Sequence, residues 1–424
     1  MKFKFDTLCV RGGYTPKTGE PVRPPIVQCT TFYYEKSQEM ADLFDLKSDG
    51  YFYSRLANPT VAAMESKIAA LEGGVAAIGC ASGMSAETLT TMTLAEAGDN
   101  FLCAGTVYGG TFNLFNTTLP RFGLDCRFFN VEEKAEDIEK RIDDRTKFIF
   151  VETIANPAVV VVDFEKITAI CRKYGLLFIV DNTLASPALC RPFEWGANIV
   201  IHSSTKYIDG HAAALGGIIV DGGNFNFKGN PRYKSFNEPD ESYHGLVYAD
   251  LPSGAAFAVK CRAQLIRDVG AIMSPMNAYL TDLGLDTLAL RMQRHSANGL
   301  AVATYLEKHP KIEWVKYSGL PSSPYYPLAQ KYLPKGQGGM RTFGVKGGVD
   351  AGIRMIEAFK LVSQETHVAD SRTCVLQPSS TTHRQLSPEE MEKAGVPLNL
   401  IRLSVGLEDI EDILADLEQA LQKV

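Results

Sequence analysis

The chain has 424 residues, 45% hydrophobic and 22% charged, a composition that excludes a disordered tail, a coiled coil and a disulfide-dense mini-protein. Its length allows two or three domains at ~150 residues each. Forty-three basic against 49 acidic residues give a net charge of −6; with no basic stripe, nucleic acid and anionic membranes are poor partners and small molecules or other proteins better ones.

Nine cysteines are scattered along the chain without a C-x-x-C pair. That supports neither a disulfide framework nor a zinc site, and the thiols are expected reduced and mostly buried in a cytoplasmic protein. The opening Met1-Lys-Phe-Lys-Phe-Asp6 turns polar too early for a signal peptide. No apolar run approaches the ~18 residues of a membrane span.

Residues 1–57, punctuated by Pro16, Pro21, Pro24 and Pro25, read as an extended arm without helical period, expected to lie on a neighbouring subunit. At Asn58-Pro59-Thr60 the character changes. Asn58 suits an N-cap and Pro59 a first helical position; Val61, Met64, Ile68 and Leu71 follow at helical spacing, and Gly73-Gly74 ends the helix. Strands are expected at Val75–Cys80, Asn100–Ala104, Phe148–Glu152, Leu176–Asp181 and Asn198–His202, with amphipathic stretches such as Phe164–Tyr174 between them. Several of these strands are apolar throughout, as in a parallel sheet covered on both faces. Residues 58–262 therefore read as a doubly wound, mainly parallel α/β domain. Residues 263–424 read as a smaller α+β domain: a long helix around Thr287–His309, strands near Met340–Val345 and Leu400–Val405, and a final helix with Ile410, Ile413, Leu414, Leu417 and Leu421 on one face.

Open α/β sheets bind ligands at the carboxyl ends of their strands, and three such ends carry candidate groups. Ser82-Gly83-Met84 joins a strand to a helix start whose free N–H groups would suit an anion; taken alone it reads more readily as a tight connection. Asp181 ends an apolar strand, where it either caps the next segment or meets a cation such as a protonated ring nitrogen. Lys206, behind His202-Ser-Ser-Thr, could form a Schiff base if its amine is partly deprotonated; taken singly it could be an ordinary surface lysine. Tyr53 and Arg55, two apart in an extended segment, share a face and could reach a phosphate in an adjacent subunit. Arg402, the one charged side chain of an alternating strand, could clamp a carboxylate or simply face solvent. The seven histidines show no metal-ligand spacing, and no metal is assigned.

Together these features suggest pyridoxal 5′-phosphate (PLP), and the sequence resembles the Cys/Met-metabolism PLP enzymes of fold type I, the cystathionine γ-synthase-like group. The resemblance runs over nearly the whole chain, through Tyr53-Ser-Arg55-Leu-Ala-Asn58-Pro-Thr60, Ala81-Ser-Gly-Met84, Glu152-Thr-Ile-Ala-Asn156-Pro, Val180-Asp-Asn-Thr183, His202-Ser-Ser-Thr-Lys206 and Arg402-Leu-Ser-Val-Gly-Leu-Glu-Asp409. It implies that Lys206 carries the cofactor, Asp181 pairs with its ring nitrogen, Tyr108 stacks on the ring in a catalytic role, and Asn156 meets the 3′ oxygen. It further implies that Ser82, Gly83, Met84, Ser203 and Thr205 hold the phosphate with Tyr53 and Arg55 of a neighbouring chain, that Arg402 binds the substrate carboxylate, and that the assembly is a homotetramer of two catalytic dimers.

Val107-Tyr-Gly-Gly-Thr-Phe-Asn-Leu114, Pro239-Asp-Glu-Ser-Tyr-His-Gly245, Lys331-Tyr-Leu-Pro-Lys-Gly336 and Thr342-Phe-Gly-Val-Lys-Gly-Gly348 resemble the O-acetylhomoserine sulfhydrylase branch, whereas γ-lyases typically have a cysteine where Gly110 stands. The resemblance thus implies γ-replacement by sulfide, a thiol or a sulfur-carrier protein, giving homocysteine. Three departures from the usual pattern stand out: His367 for an asparagine or serine, Gln377 for a histidine, and Asp209 with Ala212 in a glycine pattern.

Overall fold

The computed structural model describes residues 3–252, 254–382, 384, 391 and 395–424. Its larger sheet has seven strands: β1 (Ala76–Cys80), β2 (Asn100–Ala104), β3 (Asp125–Phe129), β4 (Thr146–Glu152), β5 (Leu177–Asp181), β6 (Ile199–His202) and β7 (Gly217–Asp221), in the order β1-β7-β6-β5-β4-β2-β3. Neighbours from β3 through β6 run parallel, and β7 runs antiparallel to both β1 and β6. Every residue of β2, β6 and β7 is buried, as a sheet covered on both faces requires. The five strands expected from the sequence are present within two residues at each end. The other two have physical reasons to escape notice. β3 is a half-exposed edge strand with Arg127 at its centre, and β7 is an apolar run with glycines on both sides that resembles a loop.

The helix Pro59–Glu72 forms as its boundary signals dictate: the Asn58 side chain accepts the Thr60 N–H at 3.0 Å, Pro59 opens the helix, and Gly73 closes it at φ 86°. Met64, Ile68 and Leu71 point into the core. The first 57 residues are less irregular than the sequence implied, because Phe5–Arg11 and Ser37–Phe44 are helical. Both are too short for a periodicity to emerge from so few turns.

The C-terminal region carries the helices Pro275–Asp286 and Leu288–Lys308 and a second sheet. That sheet holds β8 (Ile312–Lys316), β9 (Met340–Val345), β10 (Ser363–Gln364), β11 (Cys374–Leu376) and β12 (Leu400–Ser404), in the order β10-β11-β12-β9-β8. A separate core under it gathers Val302, Phe343, Ile401, Leu403, Ile413 and Leu417. The carboxyl ends of β1, β4, β5 and β6 open on a cavity that the second sheet closes with Arg402 of β12.

Candidate active site

The cavity is about 200 Å³. The turn after β1 supplies Ser82, Gly83 and Met84, the first two positions of the helix Gly83–Leu94 following its cap. The Ser82 hydroxyl accepts the Ser85 N–H at 3.1 Å while the Ser85 hydroxyl accepts the Ser82 N–H at 2.8 Å, a reciprocal cap that fixes the helix start. A Cβ on Gly83 would stand 2.7 Å from the Ser203 Cβ, so only glycine lets these two turns come so close. The Ser203 N–H donates to the Thr183 hydroxyl at 2.8 Å, and the Thr205 hydroxyl donates to the Gly216 carbonyl at 3.1 Å. The result is a cradle of backbone N–H groups and hydroxyls of the kind that receives an anion.

Asp181 ends β5 and accepts the Thr183 N–H at 2.8 Å. Burial pushes its carboxyl up, against the Thr183 hydrogen bonds and the pull of His202. Two further acids line the same cavity. Glu152, at the end of β4, accepts the Tyr108 N–H at 2.6 Å and the Asn156 N–H at 3.2 Å; Glu87 accepts the Thr111 hydroxyl at 2.8 Å. Burial, reinforced by the nearby Asp181 charge, pushes both well above the usual carboxylate range. Among the described residues none of the three has a salt-bridge partner, and Glu87 Oε2 and Asn156 Oδ1 are buried without a hydrogen bond. A group bringing a cation and a polar ring substituent would complete them.

Lys206 follows β6. Burial and the Arg402 charge bring its ammonium down to about 8, so a minor but usable fraction is free amine near neutral pH. Its Nζ lies 3.2 Å from His367 Nδ1. Arg402 is only 9% exposed, its Nη2 donates to the Thr366 carbonyl at 2.9 Å, and burial lowers its basicity. β12 is buried on both faces, which is why Arg402 lines the cavity rather than facing solvent. Tyr108, Leu215 and Thr366 are exposed at the cavity's rim.

The structure thus brings together Ser82, Gly83, Met84, Tyr108, Asn156, Asp181, Ser203, Thr205, Lys206 and Arg402. Tyr53 and Arg55 are not among the cavity's residues: Arg55 stacks 5.3 Å from the Tyr53 ring centroid and donates to the Arg267 carbonyl. Glu87 and Glu152 were given no role by sequence reasoning. Glu152 was findable by the rule that found Asp181, a carboxylate at the end of an apolar strand. Glu87 sits mid-helix, where nothing distinguishes it from a solvated acid.

An amine held partly neutral opposite unpaired carboxylates is the setting a Schiff-base cofactor needs, and comparison with known proteins agrees. The sequence profile of the family Cys/Met metabolism PLP-dependent enzyme matches residues 6–422. The chain belongs to that family. A homocysteine synthase of Schizosaccharomyces pombe is 45% identical, the alignment covering 99% of this chain and 98% of that one. An O-acetyl-L-homoserine sulfhydrylase of Thermus thermophilus is 44% identical, over 99% and 100%. A crystal structure assigned as an O-acetylhomoserine (thiol)-lyase of Campylobacter jejuni superposes with a TM-score of 0.95 at 40% identity, covering 99% of this chain and 100% of that chain, and carries a pyridoxyl-lysine phosphate at its position 205. The fold is that of a PLP-dependent enzyme and the cofactor is PLP. No helix among the described residues is long and apolar enough to cross a membrane, and no group of His, Cys, Asp and Glu among them is placed to hold a metal ion.

Proposed function

We propose that the chain catalyses γ-replacement on O-acetyl-L-homoserine, sulfide or another sulfur donor displacing acetate to give L-homocysteine in methionine biosynthesis. The observation that carries this reading is a part-buried amine, Lys206, lowered to about 8 in a cavity it shares with carboxylates and a buried arginine that have no salt-bridge partner among the described residues, in a chain similar along its length to a homocysteine synthase and to O-acetyl-L-homoserine sulfhydrylases.

PLP, when bound, supplies the electron sink that acidifies hydrogens along the substrate carbon chain. The residues present fit it. Gly83, Met84, Ser203 and Thr205 would hold the phosphate, with Ser82 fixing the helix start through its cap rather than through its own hydroxyl. Asp181 would face the ring nitrogen and keep it protonated, Asn156 the 3′ oxygen, and Tyr108 the ring face. Arg402 would orient the substrate by its carboxylate, as a planar guanidinium suits. Lys206 Nζ would hold the aldehyde at rest and, once displaced, take the proton from the substrate's α-carbon and then from its β-carbon. Tyr53 and Arg55, outside this chain's own cavity, would serve the phosphate of an adjacent subunit in a homotetramer of two catalytic dimers. The arm at 1–57 would then be a subunit contact beside a PLP-binding domain at 58–262 and a C-terminal domain at 263–424. Nine free thiols suit a cytoplasmic setting.

The alternative, a methionine γ-lyase that lets water finish the reaction, is not favoured. A Cβ at Gly110 would stand 2.5 Å from the Tyr108 ring and 3.3 Å from the Met84 sulfur, so a cysteine there would displace Tyr108. Paired assays test the reading. O-acetylhomoserine with sulfide should yield homocysteine, and methionine alone should yield little 2-oxobutanoate. The reverse pattern would make the protein a degradative lyase.

A further inference from the structure

The aldehyde and the ring nitrogen lie on opposite sides of the cofactor's ring, so Lys206 and Asp181 serve it together only if the ends of β6 and β5 keep one separation. Within the sheet Asp181 stands in register with Ile201. One residue further along each chain, Asn182 and His202 converge on a single atom. The Asn182 side chain donates to Glu72 Oε1 at 3.0 Å, and His202 Nε2 meets the same oxygen at 2.6 Å. Asn182 directly follows Asp181, and His202 stands four residues before Lys206. Glu72, Asn182 and His202 are completely buried.

The joints of this tie are themselves held. Glu72 is the last residue of the helix Pro59–Glu72, and Arg191 Nε donates to its carbonyl at 3.0 Å. Asn182 also donates to the Cys190 carbonyl at 2.9 Å, and its Oδ1 accepts the Thr153 hydroxyl at 2.8 Å. Thr153 follows Glu152 of β4, so the tie extends to a third strand end. As a source of stability alone the arrangement is poor. Glu72 Oε2 and His202 Nδ1 are buried with no hydrogen bond among the described residues. A buried pair satisfied on one side only is often no better than apolar side chains of the same volume. The pair also reaches the cavity electrostatically: burial raises the Asp181 carboxyl, and the His202 charge acts the other way.

We propose that Glu72 is a positioning residue for the cofactor: by gathering Asn182 and His202 on one oxygen, it sets the separation at which Asp181 and Lys206 grip one ring from both sides. Glu72 touches neither cofactor nor substrate and acts through the two strand ends. A ligand held at one point follows that point wherever it moves. A ligand held at two points is sensitive to their spacing, and a spacing fixed beforehand contributes affinity.

This inference rests on the roles given to Asp181 and Lys206 under the proposed function, and one set of binding measurements separates the two. The full cofactor-free chain is titrated with three ligands. PLP engages both anchors, pyridoxamine 5′-phosphate keeps the ring nitrogen but cannot bond Lys206, and 1-deazapyridoxal 5′-phosphate keeps the aldehyde but lacks the ring nitrogen. Wild type should bind PLP tightest. Glu72→Met, of similar length but without an acceptor, should lose about tenfold or more in affinity for PLP while each one-anchor ligand stays within about twofold. Glu72→Gln keeps an acceptor oxygen and should hold PLP within about threefold of wild type. Near-ultraviolet circular dichroism certifies that each variant is folded. Asn182→Ala, which cuts the tie to β5, replaces Glu72→Met if that variant is not folded, with the same selective loss expected. Equal losses for all three ligands, or unchanged PLP binding, would overturn the proposal alone. A loss in Glu72→Gln as large as in Glu72→Met would assign the effect to the charge rather than the tie and overturn it too. A wild type that binds PLP no tighter than either one-anchor ligand would overturn the roles of Asp181 and Lys206 and the proposal with them.

Discussion

Two clusters of ionisable groups line the cavity, and burial acts on them in opposite directions. In the first, Glu87, Glu152 and Asp181 end or flank the strands of the larger sheet, and desolvation pushes all three carboxyl groups up. In the second, Lys206 follows β6 and Arg402 lies in β12 of the smaller sheet, and desolvation brings both cations down. Among the described residues no salt bridge joins either cluster to the other or to an outside charge. By contrast, the buried Lys67 Nζ and Asp282 Oδ1 meet at 2.7 Å as an ion pair. A fold that pairs buried charges elsewhere yet leaves both clusters incomplete has reserved them for what it binds. The first asks for a cation and the second for an anion. A protonated cofactor ring and a substrate carboxylate supply the two, which ties the polarity of the cavity to its chemistry.

The sharpest way to break this comparison is to remove the reacting amine. Lys206→Ala should abolish turnover, a fall of at least about 10⁴-fold for loss of both the nucleophile and the base. Substantial residual rate in a steady-state assay would mean that another group performs both tasks. Asp181→Asn removes the charge but not the shape. It should lower kcat by about 10²–10³-fold through the ring nitrogen it no longer stabilises, with cofactor absorbance still present. Arg402→Lys keeps a cation but loses the planar fork, so KM should rise about tenfold or more with a smaller change in kcat.

Glu87→Gln has the smallest expected effect and tests the first cluster through stability. The carboxyl in the fold titrates well above its ordinary 4.5. Its contribution is therefore fully present below about pH 4.5 and is lost as pH rises through the elevated value. Glutamine keeps an acceptor for the Thr111 hydroxyl and has nothing to ionise. The cofactor-free variant should melt with wild type near pH 4 and at a higher temperature than wild type at pH 8. Identical melting at both pH values would place Glu87 in water rather than in the cavity.

How far the sequence could be read follows the same physics. β2, β4 and β5 were legible because burial on both faces demands unbroken apolar runs. Asn58, Pro59 and Gly73 were legible because helix ends have local chemistry. β7 was not, because its neighbouring glycines are the signal of a turn and only its insertion between β1 and β6 makes it a strand. In the site, Lys206, Asp181 and Arg402 stood out as charges in apolar strands or at their ends. Glu87 did not, since a mid-helix glutamate becomes anomalous only once burial brings it close to Asp181 and Glu152. His367 was visible as a departure from a familiar pattern, but its 3.2 Å approach to Lys206 depends on the meeting of two sheets.

The most direct test of the account is to reduce the purified yellow enzyme with borohydride, digest it and locate the pyridoxyl group by mass spectrometry. The account predicts loss of the yellow colour with the label confined to the peptide carrying Lys206. A label on any other lysine, or colour that survives reduction, would contradict it.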